Sequence, residues 1–246
     1  MTDICDICGL TVSRRGVSDH LKEVTDRVGR SEGAWLLTLN TEMLARGSRD
    51  PDYWKMIQKA DIITADGMPL VWASNFKYPG RTIDGRTTGV DLVDALLRVK
   101  NVPKFAVIGG KSPLETIKTY GARTVEACAF VYDGMVDLSD EQLSWFSDEL
   151  IRHQARVVFI ALGVPKQDLL ALELRRKVPQ AVLMGIGGTF EILGPKGGRA
   201  PHWMQRGGLE WLYRLAKDPG RLWKRYLINY PRGIWFLIKD CLVASK

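Results

Sequence analysis

The residues best suited to chemistry in this chain sit at the ends of short apolar runs. Thr38 and Asn40 close "AWLLTL", Asp66 and Gly67 follow "ADIITA", and Gly109, Gly110 and Lys111 close "KFAVIG". Tyr132 ends "VEACAFVY", Gly163, Lys166 and Gln167 follow "RVVFIAL", and Gly187 and Gly188 end "AVLMGIG". Glycine, hydroxyl, amide, lysine and an isolated acid together fit a phosphate-bearing ligand, held by bare backbone N–H groups and helix N-termini. Asp66 raises the sharper question of what a lone carboxylate does where a buried strand ends. From the residues alone, a turn-forming role beside Gly67 is the simpler account, with general-base catalysis as the alternative.

Such residues converge only if the runs become strands of one sheet. Each run is short, continuous and apolar, as strands buried on both faces of a parallel sheet are. Between them, "GVDLVDALLRV" and "PKQDLLALELRRKV" show the recurrence of helices packed on one side, and "SDEQLSWFSDELIRHQ" begins with the capping-box spacing of Ser139 and Gln142. This alternation predicts an α/β fold, a Rossmann-like, doubly wound and mainly parallel sheet whose ligands bind beyond the carboxyl ends of the strands.

Several familiar signatures fail. Gly185-Ile-Gly187 opens like a dinucleotide fingerprint, but Phe190 takes the third glycine position and the segment lies late in the chain. Gly110-Lys111-Ser112 ends like a P-loop, yet Phe105 stands where its first glycine belongs. Asp50-Pro-Asp52 spells a metal-binding DxD, but Asp50 followed by Pro51 reads better as a helix N-cap. Cys5 and Cys8 have CxxC spacing without the further ligands a zinc site needs, so a structural role is expected and no metal is assigned.

Charge is concentrated at one end. From Arg199 onward ten Lys and Arg face three acids, an excess equal to the whole formal net charge of +7. Trp203, Trp211, Trp223 and Trp235 lie in the same stretch. It reads as short helices broken at Asp218-Pro219 and Tyr230-Pro231, with Arg221, Lys224 and Arg225 on one face. Arginine beside tryptophan and leucine suits an interfacial helix on anionic lipid. Nucleic-acid binding is a rival use of such charge, but no nucleic-acid module is present. No run approaches the ~18 apolar residues of a membrane span, and Met1–Leu10 lacks the basic start and apolar run of a secretory leader. The expected division is an α/β core over 1–195 and a basic, Trp-rich helical appendage over 196–246.

The ordered motifs "LTLNTEML", "ADIITADGMPLVWAS", "GRTTGVDL", "ALGVPKQ", "GIGGTFEILGPKGGRAPHWMQRGGLEWLYRL" and "DPGRLWKRYLINYPR" resemble the WecG/TagA/CpsF glycosyltransferases over about residues 20 to 237. The resemblance implies an inverting, metal-independent hexosyltransferase without a cofactor. It would move an N-acetylmannosamine-like sugar from a UDP donor to a polyprenyl-diphosphate-linked saccharide in teichoic acid or surface-polysaccharide synthesis. The place implied is the cytoplasmic face of the cell membrane, and homo-oligomers are compatible with it. The resemblance also implies Asp66 as general base, with Thr38, Asn40 and Gln167 as further catalytic groups. Substrate contacts would come from Arg86, the glycine-rich strand ends with Lys111, Tyr132 and Lys166, and Arg214, Arg221 and Arg225 (or Lys224) clamping a diphosphate. Glu191 stands where the family has Asp, and its extra methylene shifts the nucleotide contact expected there. Two readings rest on other grounds: a Rossmann-type oxidoreductase, from the α/β pattern alone, and a non-catalytic nucleotide- or membrane-binding adaptor.

Overall fold

A computed structural model describes residues 3–244. The predicted runs all become strands: β3 (Ala34–Leu39), β4 (Ile62–Ala65), β5 (Phe105–Gly109), β6 (Cys128–Tyr132), β7 (Val157–Ala161) and β8 (Val182–Gly185). They form a six-stranded sheet in the order β4-β3-β8-β7-β5-β6, with every pairing parallel. Alternate residues serve opposite cores. Leu37, Leu39 and Ile63 pack with Met43, Leu70 and Leu170 on one face, while Leu36, Ile62 and Val107 pack with Val24, Leu92 and Phe190 on the other. This two-sided cover explains why the strands read as unbroken apolar runs.

A hairpin precedes this sheet, β1 (Ile4–Ile7) with β2 (Leu10–Ser13), which the sequence reading did not anticipate. Its two-residue turn is Cys8-Gly9, with φ of 54° and 79°. Positive φ at both positions is what a type I′ turn requires, and cysteine is an uncommon first residue for it. The CxxC spacing thus places Cys5 on the buried face of β1, while burial and the neighbouring Asp240 carboxylate push the Cys8 thiol pKa up.

After β8 the chain forms helices His202–Arg206, Glu210–Lys217 and Pro219–Lys224, then a single π-helical turn, Arg225–Asn229, and helix Tyr230–Ala244. Asp218 caps as expected, its Oδ1 accepting from Arg221 N at 3.3 Å. The expected break at Tyr230-Pro231 does not occur. The wider π turn just before Pro231 changes the local bonding register, so the missing N–H does not end the helix. The final helix lies on the core: Leu237 is buried in the main cluster, and Phe236 meets Trp54 edge-on with centroids 5.5 Å apart.

The crossing is closest at Gly233, where a Cβ would fall 2.1 Å from the carbonyl oxygen of Thr41. Gly233→Leu should therefore push the tail off helix Thr41–Gly47, at a cost of about 1–3 kcal/mol. Limited trypsin digestion and thermal unfolding test this; a tail as protected as in wild type, with an unchanged Tm, would refute it.

Candidate active site

The carboxyl ends of β4, β3, β8 and β7 open into a cavity of about 390 Å³, roofed by the tail. Asp66 stands at its floor. Its N–H donates to Leu39 O at 2.7 Å, and Thr87 N donates to Ala65 O at 2.8 Å, so the backbone on both sides is fixed by the sheet mouth. Gly67 follows with φ 138°, a conformation that turns the chain sharply into helix Met68–Lys77 and disfavours an L side chain. Among the described residues no N–H or O–H donates to the Asp66 carboxylate, so the turn-forming account does not hold. Burial foremost, with the Glu210 and Asp91 charges adding and Arg86 and Arg214 opposing, raises its pKa to about 7.

Neighbouring groups are set by strand ends and caps. Thr38, buried on β3, donates from Oγ1 to Gly185 O at 3.3 Å. Asn40 caps helix Thr41–Gly47, its Oδ1 accepting from Glu42 N at 3.0 Å and Met43 N at 3.2 Å. That fixes the amide plane and leaves Nδ2 as its uncommitted donor among the described residues. Gln167 opens helix Lys166–Lys177, and its Oε1 accepts from Gly187 N at 3.1 Å. Its amide lies against Gly185, where a Cβ would be 3.0 Å from Nε2.

The tail supplies the opposite wall. Arg86 donates to Glu210 Oε2 at 2.6 Å and to Gln205 Oε1 at 3.1 Å, tying the segment between helices Met68–Lys77 and Gly89–Arg98 to two tail helices. Arg214, Arg221 and Arg225 all line the cavity. Arg221 pairs with Asp218 at 2.8 Å and stands 3.8 Å from Glu191, and Arg225 pairs with Glu42 at 3.1 Å. Arg214 has no ion-pair partner among the described residues, although its charge reaches Asp66.

Of the expected site residues, Thr38, Asn40, Asp66, Arg86, Gly163, Gln167, Gly187, Gly188, Glu191, Arg214, Arg221 and Arg225 converge on this cavity. Gly109, Gly110, Lys111, Tyr132, Lys166 and Lys224 do not line it. Strand order decides most of these: β5 and β6 lie beyond β7, away from Asp66. Gly109 and Gly110 are packed against Ala161, and Tyr132 donates its hydroxyl to Met135 O at 2.9 Å. Lys111 is exposed, and Lys166 donates to Val136 O. Lys224 points outward, with Nζ 5.5 Å from the Trp223 ring centre. Asp91 is held by Thr88 Oγ1 at 2.7 Å and pairs with Arg199. Asp50 acts as the expected cap, accepting from Tyr53 N at 3.0 Å. Glu42, Glu210, Trp211, Tyr226 and Tyr230 also line the cavity and were not anticipated. An i, i+4 tyrosine pair following the arginines was their only advance signal.

Chemically, the arrangement offers one recessed carboxylate able to take up a proton, hydroxyl and amide groups around it, and arginines able to pair with an anion. Comparison with known proteins specifies it. The profile of the "Glycosyl transferase WecG/TagA/CpsF family" matches residues 5–246, and the chain belongs to that family. A relative from Bacillus spizizenii strain W23, named N-acetylglucosaminyldiphosphoundecaprenol N-acetyl-beta-D-mannosaminyltransferase, is 29% identical over 238 residues, covering 92% of this chain and 86% of its own. A protein of the same name from Bacillus subtilis strain 168 is 31% identical over 209 residues, covering 85% and 80% respectively.

The pKa of Asp66 makes a stability prediction. Its folded value of about 7 lies above the ordinary carboxylate value of roughly 3.9. The fold thus favours the protonated form, and that stability is present below about pH 4 and lost as pH rises through about 7. Asp66→Asn, neutral throughout, should match wild-type thermal stability near pH 4 and exceed it at pH 8. A Tm difference independent of pH would contradict this.

Proposed function

We propose that the chain transfers an N-acetylmannosamine-like hexose from a UDP donor to polyprenyl-diphosphate-linked N-acetylglucosamine, by one inverting displacement and without a divalent metal. The observation that carries the reading is the Asp66 carboxylate, unspent on hydrogen bonds among the described residues and poised near neutrality in a cavity lined by three tail arginines. An acceptor hydroxyl donates its proton to Asp66 as its oxygen bonds to the anomeric carbon. The bond from that carbon to the phosphate oxygen breaks, and its electron pair leaves on UDP. Arg214, Arg221 and Arg225 offset the charge that grows on the diphosphate, in guanidinium–phosphate pairing that needs no metal. Gln167 and Thr38 keep the glycine-rich wall in shape, and Asn40 Nδ2 is free to meet a sugar hydroxyl. The synthesis served is that of a lipid-linked surface polymer such as teichoic acid. Family membership sets aside the oxidoreductase reading, which rested on fold alone.

The acceptor's lipid would hold the enzyme at the cytoplasmic face of the membrane. Among the described residues no helix is long and apolar enough to cross a bilayer. Helix Tyr230–Ala244 instead exposes Trp235, Ile238 and Leu242 at i, i+3, i+7, with Arg232 and Lys239 beside them. That pattern supports interfacial binding to anionic lipid.

UDP release from a donor panel, with chelator present, tests the reaction. Wild-type kcat/KM should rise with pH and level off above about 7, and Asp66→Asn should lose about 10²–10⁴-fold. Near-wild-type turnover in that variant, or loss of activity in chelator restored by Mn²⁺, would sink the proposal.

For the membrane, Trp235→Glu combined with Leu242→Glu should abolish sedimentation with anionic vesicles. UDP release with a short-chain, water-soluble acceptor should change less than about twofold, because neither side chain lines the cavity that holds Asp66. Undiminished vesicle binding would remove the tail helix from the interface.

A further inference from the structure

Three aromatic side chains of the tail form a cluster in the roof of the cavity. Trp211 lies 5.9 Å from Tyr226 and 6.2 Å from Tyr230, and the two tyrosines are 5.3 Å apart, centroid to centroid. All three line the cavity that holds Asp66. Tyr226 is buried and backs the other two, which are only half-buried. On its own face Tyr226 carries the guanidinium of Arg225 at 5.6 Å.

Packing of the tail onto the core accounts for only one edge of this cluster, where the Tyr230 phenol meets the Thr41 side chain. The rest of that seam is made elsewhere, by Gly233 on Thr41, Phe236 on Trp54 and the buried Leu237. The helix is also shaped to deliver the rings. At 3.6 residues per turn, Tyr230 would stand on the face opposite Arg221. The π turn over Arg225–Asn229 widens the helix by i→i+5 bonding and swings Tyr230 back toward the cavity that Arg221 and Arg225 also line. One local irregularity therefore places cations and rings on the same wall.

We infer that Trp211 and Tyr230, backed by Tyr226, form the platform on which the pyranose ring of the acceptor is seated for attack. The inference rests on the transfer reaction proposed above and assigns its acceptor subsite. The negative face of an aromatic ring attracts the weakly positive C–H bonds on the flat side of a pyranose. Position selects between the ligands. Asp66 and the three rings line one cavity, so a pyranose seated on the rings shares the space into which the base opens. The uracil of a UDP donor is separated from the reacting carbon by ribose and diphosphate, so it cannot occupy the same place. The donor's own hexose must lie across the attacking oxygen from Asp66, over the bare backbone of Gly187 and Gly188.

The experiment uses the full chain, a short-chain diphosphate-linked N-acetylglucosamine as acceptor, and the variants Trp211→Leu, Tyr230→Leu, Trp211→Phe and Tyr230→Phe. The leucine variants keep an apolar side chain and remove the ring, and only those with a wild-type Tm are compared. Each should raise acceptor KM about tenfold while the Kd for UDP stays within about twofold, and the phenylalanine variants should recover most of the loss. Saturation-transfer NMR with the acceptor alone should mark its pyranose protons in wild type and lose them in Trp211→Leu. Unchanged acceptor KM, or UDP affinity falling in step with it, would overturn the platform. A wild-type protein that marks the pyranose protons yet releases no UDP from any donor would defeat the transfer reading and leave the platform standing. Absence of saturation transfer in wild type would remove the platform itself.

Discussion

The ion pair between Arg86 and Glu210 is the contact on which the site depends. It joins the segment just before helix Gly89–Arg98 to the tail at 2.6 Å, with both side chains largely buried. Such pairs contribute little net stability, because desolvation offsets most of the attraction, but losing one partner strands a buried charge. The pair therefore acts mainly as a specifier of where the tail sits. Gln205 reinforces it by accepting from the same guanidinium, and Gly233 lets the last helix close onto Thr41. With the tail seated, the mouth of the sheet becomes a half-open cavity walled on two sides instead of an open ledge.

Enclosure brings cations and acids together in near balance. Arg225 is matched by Glu42, Arg221 by Asp218 and, more loosely, by Glu191, while Arg214 is unmatched among the described residues. In the proposed reaction a diphosphate would take over these guanidinium groups, and Arg214 requires no partner to be displaced first. Glu191, where the family resemblance leads one to expect Asp, uses its extra length to fold over Gly188. A Cβ on Gly188 would meet its Oε2. The longer acid is thereby accommodated by a glycine beside it, and its charge is turned toward Arg221.

Much of the architecture was legible in the sequence, because a parallel sheet buried on both faces leaves continuous apolar runs, and these fell where β3 to β8 lie. The order of strands leaves no such trace, which is why Lys111 and Tyr132 were grouped with Asp66 although β5 and β6 carry them away from it. The hairpin escaped notice because Cys8-Gly9 lacks the Asn or Asp that usually marks its turn. Arg221 and Arg225 were readable from helical spacing, whereas Lys224, one 100° step from Arg225, turns to solvent. Glu210 and the aromatic cluster were hidden for a different reason. Their importance comes from the tail folding back over the sheet, and no local pattern encodes that long-range contact.

The same closure links the strength of the base to the position of the tail. A carboxylate in water titrates near 3.9 and is a weak acceptor for an alcohol proton. Burial beneath the tail, with Glu210 close by, moves Asp66 to about 7, while Arg86 and Arg214 keep it from rising further. Glu210 thus has two opposed effects: it anchors Arg86, which draws Asp66 down, and its own charge drives Asp66 up. Lifting the tail would remove the desolvation, the Glu210 charge and the cavity-lining arginines at once. In the proposed reaction, proton abstraction and leaving-group stabilisation would both follow from a single docking event.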